Sequence, residues 1–136
     1  MEKQQENARA VAQWMSTEPK IRQVYYVGLE SHPDYAVSKK QTSGFGAMIS
    51  FEVCSEDIAK RILKQVKLIR FAESLGGVET LITYPSLQTH ADLSEKEREV
   101  IGINSRLLRL SVGLESVTDI IADLQQALKE EIKYAV

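Results

Sequence analysis

The sequence predicts an α/β fold, a two-layer sandwich whose mixed or antiparallel sheet of four to five strands carries helices on one face. Apolar residues recur at helical spacing in several stretches, and short β-forming runs lie between those stretches. The 136 residues suffice for one domain and not comfortably for two. Helices alternating with strands, without an internal repeat, fit one sheet with a helical layer.

The elements follow in order. Residues 2–16 read as a helix, with Ala8, Val11, Ala12 and Met15 on one face and Pro19 as its stop. Residues 22–27 read as a strand around Val24-Tyr25-Tyr26-Val27, broken by Gly28. His32-Pro33-Asp34 opens a short helix to about residue 41, with Pro33 in the tolerated first turn. A joint at 43–46 leads to a strand at 47–53. Ser55 caps the next helix, Asp57 lies in its first turn, and Ile58, Ile62 and Val66 make its stripe. Strands are expected at 68–72, 79–84 and 107–112, with a tight backbone feature at 74–77. Ser94 and Glu97 have capping-box spacing before a short helix ending at Gly102. A last helix spans 117–134, with Ile120, Ile121, Leu124, Ala127, Leu128 and Ile132 on one side.

Composition narrows the function classes. Hydrophobic residues make up 43% and charged residues 26%, as in an ordinary soluble globular protein. A net charge of −2 provides no footprint for nucleic acid or for an anionic membrane. No apolar run reaches transmembrane length, and the polar start Met1-Glu2-Lys3-Gln4-Gln5-Glu6 is unlike a signal peptide. Cys54 is the only cysteine, which excludes a disulfide framework and a cysteine-rich metal site. The cytoplasm is the expected location.

Four stretches carry a resemblance. They are Val24-Tyr25-Tyr26-Val27-Gly28-Leu29-Glu30-Ser31-His32-Pro33 and Ser43-Gly44-Phe45-Gly46-Ala47-Met48-Ile49-Ser50-Phe51-Glu52. The third and fourth are Ala72-Glu73-Ser74-Leu75-Gly76-Gly77-Val78-Glu79-Thr80-Leu81-Ile82 and Arg109-Leu110-Ser111-Val112-Gly113-Leu114-Glu115. In this order, with Thr89-His90 between the last two, the chain resembles the C-terminal domain of the Cys/Met-metabolism pyridoxal-phosphate (PLP) enzymes of fold type I. Cystathionine γ-synthase, cystathionine γ-lyase and methionine γ-lyase are of this kind. The resemblance runs from about Asn7 to Leu128. The chain departs from the family at Val27, Ala47, Tyr84 and Gln88, where proline, glycine, histidine and methionine are common. These departures leave the fold expectation alone and weaken assignment to one member enzyme.

The resemblance implies a cofactor, pyridoxal 5'-phosphate, in the intact enzyme, where the cofactor carries the hard chemistry and the protein orients it. No lysine of the chain stands in the family's Ser-x-Thr-Lys context for the Schiff base. The whole chain, 1–136, is therefore expected to be one C-terminal, substrate-carboxylate-binding domain without the large cofactor-binding domain. No catalytic residue, bound cofactor or metal is expected in it, and it is expected to be inactive alone.

For the substrate, the resemblance points to Arg109 as the ligand of the α-carboxylate, and a planar guanidinium matches a carboxylate with two parallel hydrogen bonds. Leu107, Leu108 and Leu110 are expected to surround it with apolar groups. The plainer reading of Arg109 is a strand-edge arginine or an ion pair with Glu115 or Asp119. Ser74 and Leu75 are implied to form the other wall of the carboxylate site, against a simple turn as the alternative. Glu73 is implied to face the distal part of the substrate, where methionine γ-lyases tend to be apolar, and Thr89 to add a hydroxyl. A solvated carboxylate and a loop cap are the plain readings of those two. His32 and His90 lack a second ligand nearby and read as helix-entry or core residues. Cys54 reads as a small buried apolar residue and Trp14 as packing.

The expected partners are a sulfur amino-acid substrate, a PLP-binding domain or subunit, and a second copy in a homo-oligomer; nucleic acid and membrane are not expected. The first functional reading is a part of a transsulfuration enzyme acting on cystathionine or an O-acyl-homoserine. The second is a non-catalytic free-standing module that assembles with, or modulates, an intact relative. A third is a small amino-acid-binding or regulatory fold built alike by chance, and the ordered motifs speak against it.

Overall fold

A computed structural model describes residues 2–41, 44–71, 78–85, 94, 96–97 and 104–129. Its elements run α1 (Glu2–Met15), β1 (Ile21–Tyr25), α2 (Tyr35–Gln41), β2 (Met48–Val53), α3 (Glu56–Gln65), β3 (Arg70–Phe71), β4 (Leu81–Thr83), β5 (Leu107–Ser111) and α4 (Val117–Leu128). The five strands form one sheet in the order β1-β2-β5-β4-β3. Three pairings are antiparallel and β3–β4 is parallel, so the sheet is mixed, as expected.

Period-2 alternation decides which side of the sheet is dry. On β2, Ile49, Phe51 and Val53 are fully buried while Met48 is exposed. On β5, Leu108 and Leu110 are fully buried. These inward residues meet one helical layer: α1 and α3 both touch β2, and α4 packs against both helices. The expected α1 stripe of Ala8, Val11, Ala12 and Met15 is wholly buried. On α4, Ile120, Leu124, Ala127 and Leu128 are buried, while Ile132 and the rest of that expected helix lie outside the described residues. Ser55 caps α3 as expected, its hydroxyl accepting from the Ile58 amide at 3.2 Å. Ser94 and Glu97 form the reciprocal capping box at 3.2 and 3.3 Å.

Several boundaries differ from the expectation, and each difference has a donor or acceptor behind it. The strand expected at 68–72 begins only at Arg70, because Asp123 takes the preceding amides, and residue 72 lies outside the described residues. Its carboxylate accepts from the N–H groups of Lys67, Leu68 and Ile69 at 2.8, 2.9 and 2.8 Å. The strand expected at 79–84 begins only at Leu81, since the Thr80 amide goes to Glu115 at 2.8 Å. The first strand stops at Tyr25. Tyr26 turns into the core, and its hydroxyl donates to the Gly46 carbonyl at 2.8 Å. Burial pushes that phenol above its ordinary value of 10.0, with Arg9 opposing, so the donor keeps its proton. The helix expected from His32 begins at Tyr35: Pro33 sits in the preceding turn and Asp34 accepts the Ser38 amide at 2.9 Å. This α2 buries no residue. The 74–77 feature and residues 98–102 of the expected short helix lie outside the described residues.

Asp123 is 7% exposed and joins α4 to the α3–β3 connection. Asp123→Ala should therefore lower stability by about 3 kcal/mol, because three amides lose a charged acceptor. Urea denaturation of the two proteins measures this, and a difference within experimental scatter would show that the nest contributes nothing.

Candidate functional site

The two sides of β5 differ in chemistry. Leu108 and Leu110 go under the helices, so Arg109 goes to the side opposite α1, α3 and α4. The leucines next to it in sequence therefore do not enclose it, contrary to expectation, and only Leu107 shares its face. Its lateral neighbours come from the sheet register: Ser50 on β2 and Thr83 on β4. Tyr25 on β1 continues the same row beyond Ser50. A strand-edge arginine is excluded, because β5 is the middle strand.

The guanidinium has no internal counter-ion among the described residues. Its Nε is buried and makes no hydrogen bond there. An unsatisfied buried donor is uncommon in native proteins and calls for an explanation. Neither suggested ion pair occurs. Glu115 accepts instead from Thr80, through its amide at 2.8 Å and its hydroxyl at 2.7 Å. Asp119 lies in the first turn of α4. Glu52, on the Arg109 face one row along, is 3.0 Å from Arg106 and 3.7 Å from Arg22.

The end of β5 is held by a junction that was not legible beforehand. Thr80 Oγ1 accepts the Gly113 amide at 2.9 Å, and Val78 accepts the Leu114 amide at 2.8 Å. From α1, the Asn7 side chain donates to the carbonyls of Gly113 at 3.1 Å and Glu115 at 2.8 Å. The stretch just after Arg109 is thus tied to both β4 and α1.

The comparisons with known proteins bear on this arrangement. The family profile described as Cys/Met metabolism PLP-dependent enzyme matches residues 1–129. The chain belongs to that family. An L-methionine γ-lyase of Fusobacterium nucleatum subsp. nucleatum is 50% identical over 131 residues, 96% of this chain and 33% of its own. A cystathionine β-lyase of Coxiella burnetii is 47% identical over 129 residues, 94% of this chain and 33% of its own. Cystathionine γ-synthase from Xanthomonas oryzae pv. oryzae, in complex with aminoacrylate and cysteine, superposes with a TM-score of 0.88 at 41% identity, covering 94% of this chain and 33% of that one. A candidate O-acetylhomoserine (thiol)-lyase from Campylobacter jejuni, carrying N'-pyridoxyl-lysine-5'-monophosphate, superposes at 0.89 with 37% identity, covering 95% and 31%. The chain spans about a third of the length of the relatives it matches.

Enzymes of this Cys/Met metabolism family depend on PLP. The described rows on the Arg109 face, from Tyr25 to Thr83 and from Gln23 through Glu52 to Leu107, carry no lysine. Those rows offer no amine to a cofactor aldehyde, whereas a guanidinium whose buried Nε is unpaired among the described residues fits a carboxylate. The other family-implied residues, Glu73, Ser74, Leu75 and Thr89, lie outside the described residues, as does His90. His32 acts at the entry to α2, its Nδ1 accepting the Asp34 amide at 3.0 Å. Trp14 packs on the core as expected. Cys54 corrects the expectation: it is exposed, because the strand alternation that buries Val53 turns the next residue outward. No group of three or more potential metal ligands exists among the described residues, and none of their helices is long and apolar enough to cross a membrane.

Gly113 is the tightest point of the junction. A Cβ there would stand 2.4 Å from the Val78 carbonyl oxygen and 2.6 Å from the Glu79 carbonyl carbon. Gly113→Ala should cost about 2 kcal/mol, since backbone rather than a flexible side chain must move. Equilibrium unfolding checks it; an unchanged midpoint would mean that the junction is looser than described.

Proposed function

We propose that this chain supplies the substrate α-carboxylate site of a PLP-dependent transsulfuration enzyme acting on cystathionine or an O-acyl-homoserine. A cofactor-binding domain or subunit supplies the Schiff-base lysine. The observation that carries this reading is the Arg109 guanidinium, on the middle strand, with a buried Nε that lacks a partner among the described residues. The named relatives act on cystathionine or methionine, which fits a site for a sulfur amino acid. Glu73, Ser74, Leu75 and Thr89 complete the site in this reading, on the strength of the family motif.

Guanidinium geometry makes the reading specific. Two parallel N–H donors hold a carboxylate in one plane and one orientation, which a lysine ammonium cannot reproduce. The ligand also satisfies a donor that has no partner among the described residues, so its departure leaves a desolvated group behind.

The test grafts this chain in place of the matching third of the Fusobacterium nucleatum enzyme. In that chimera Arg109→Ala should raise KM for the amino-acid substrate about 10- to 150-fold, the equivalent of ~1.5–3 kcal/mol for a hydrogen bond to a charged group. Arg109→Lys should recover little of it. A folded Arg109→Ala chimera with KM within about twofold of the parent would sink the assignment. The 136-residue chain alone should show no stoichiometric PLP absorbance band. A band abolished by replacing one particular lysine would overturn the division of labour.

A further inference from the structure

We infer that Arg106, seconded by Arg22, holds Glu52 away from Arg109 and so keeps that guanidinium open to a carboxylate ligand; this rests on the carboxylate-binding reading of Arg109. Arg106 is on this account a positioning residue of the site.

The geometry of the Arg109 face sets up the competition. Ser50 pairs with Arg109 and Glu52 pairs with Leu107, so Glu52 stands diagonally across from Arg109. Diagonal neighbours on adjacent strands are about 7–8 Å apart at Cα, within reach of long side chains. The Glu52 side chain is only 12% exposed, so it needs a partner in the protein. Arg109 is the cation that the register offers it, and that pairing would occupy the guanidinium with an internal carboxylate.

Two other cations take it instead. Arg106 Nη2 stands 3.0 Å from Glu52 Oε1, and Arg22 Nη1 stands 3.7 Å from the same oxygen. Arg22 reaches it from a register shift in β1: Ile21 pairs with Val53 and Gln23 with Glu52, leaving Arg22 as the extra residue. Such a bulge re-aims a side chain. Arg106 is anchored at the entry of β5. Its amide donates to the Asn104 side chain at 2.8 Å, and the buried Tyr84 hydroxyl donates to the adjoining Ser105 carbonyl at 2.5 Å. The stronger contact therefore comes from the better-held arginine, while Arg22 is 62% exposed.

Glu52 consequently ends with two cations and Arg109 with no carboxylate among the described residues. Removing Arg106 leaves Glu52 with only the longer, more exposed contact. The diagonal pairing with Arg109 then competes with any incoming α-carboxylate.

The experiment reads Arg109 directly in the 136-residue chain. Its Nε–Hε cross-peak in a 15N–1H spectrum is identified by its loss in Arg109→Lys, and acetate serves as the carboxylate probe. In the unsubstituted chain the peak should move as acetate is added. In Arg106→Ala it should lie already displaced toward the acetate-bound position, and about fivefold more acetate should be needed for half-effect, the scale of one competing ion pair. Adding Glu52→Gln should reverse both changes, and Arg106→Lys should stay near the parent. The backbone amide spectrum reports folding, with Arg106→Gln as the substitute if Arg106→Ala does not fold. An Arg109 peak that stays in place in the folded Arg106 variants, or a displacement that Glu52→Gln does not reverse, overturns the proposal. If acetate fails to move the parent's peak, the carboxylate reading of Arg109 falls, and the acetate-free displacement and its reversal still decide what Arg106 does.

Discussion

A carboxylate taken out of water must find donors in the protein, and the joints of this chain are built on that requirement. Asp123 collects three consecutive amides and so joins α4 to the approach of β3. Glu115 takes both donors of Thr80 and so joins the end of β5 to the start of β4. Glu52 takes Arg106 and Arg22 and so joins the entry of β5 to the bulged edge strand. Each of these carboxylates is committed to a structural joint. What remains is Arg109, a cation that none of the three compensates.

How legible this was depends on the range of the interaction. The α1 and α4 stripes were readable because helical burial repeats every 3.6 residues within one segment. Ser55 and the Ser94–Glu97 box were readable for the same reason, since a cap bonds to amides three residues away. Strand ends were not. Whether residues 67–69 belong to a strand is decided by Asp123, more than fifty residues later, and whether Thr80 does is decided by Glu115. Propensity sees the β-forming run and not the remote side chain that takes its amides. The surroundings of Arg109 failed likewise: its neighbours in sequence are leucines on the other face, and its neighbours in space come from the register with β2 and β4. Arg109 itself was picked out by its motif, while Glu52 and Arg106 carry no local mark of their meeting.

Energetic magnitudes separate the roles of these contacts. Solvent-accessible ion pairs are worth little to stability, about 0–1 kcal/mol, and Arg22 at 62% exposure belongs to that class. The Arg22 contact therefore adds little to holding the sheet together, whatever it does for the position of Glu52. The buried apolar core and the three antiparallel ladders do that work through area and backbone hydrogen bonds, at about 25 cal/mol per Å² of apolar surface. A contact of small stabilising value still decides which cation a carboxylate neutralises, and that is an electrostatic partition rather than a support.

The Nε of Arg109, unpaired among the described residues, gives the partition its consequence. A buried donor without a partner destabilises the ligand-free state by about 1–3 kcal/mol, and a ligand that supplies the acceptor recovers that amount on binding. An internal carboxylate would recover it too, in advance, leaving nothing for the ligand to gain. The same strand must therefore bury Leu108 and Leu110 for the fold, present Arg109 on the opposite side for the site, and keep the carboxylate across from it otherwise engaged. Strand alternation meets the first two demands together. The third draws on a bulge in β1 and a well-anchored arginine at the entry of β5, neither of which the alternation of β5 supplies.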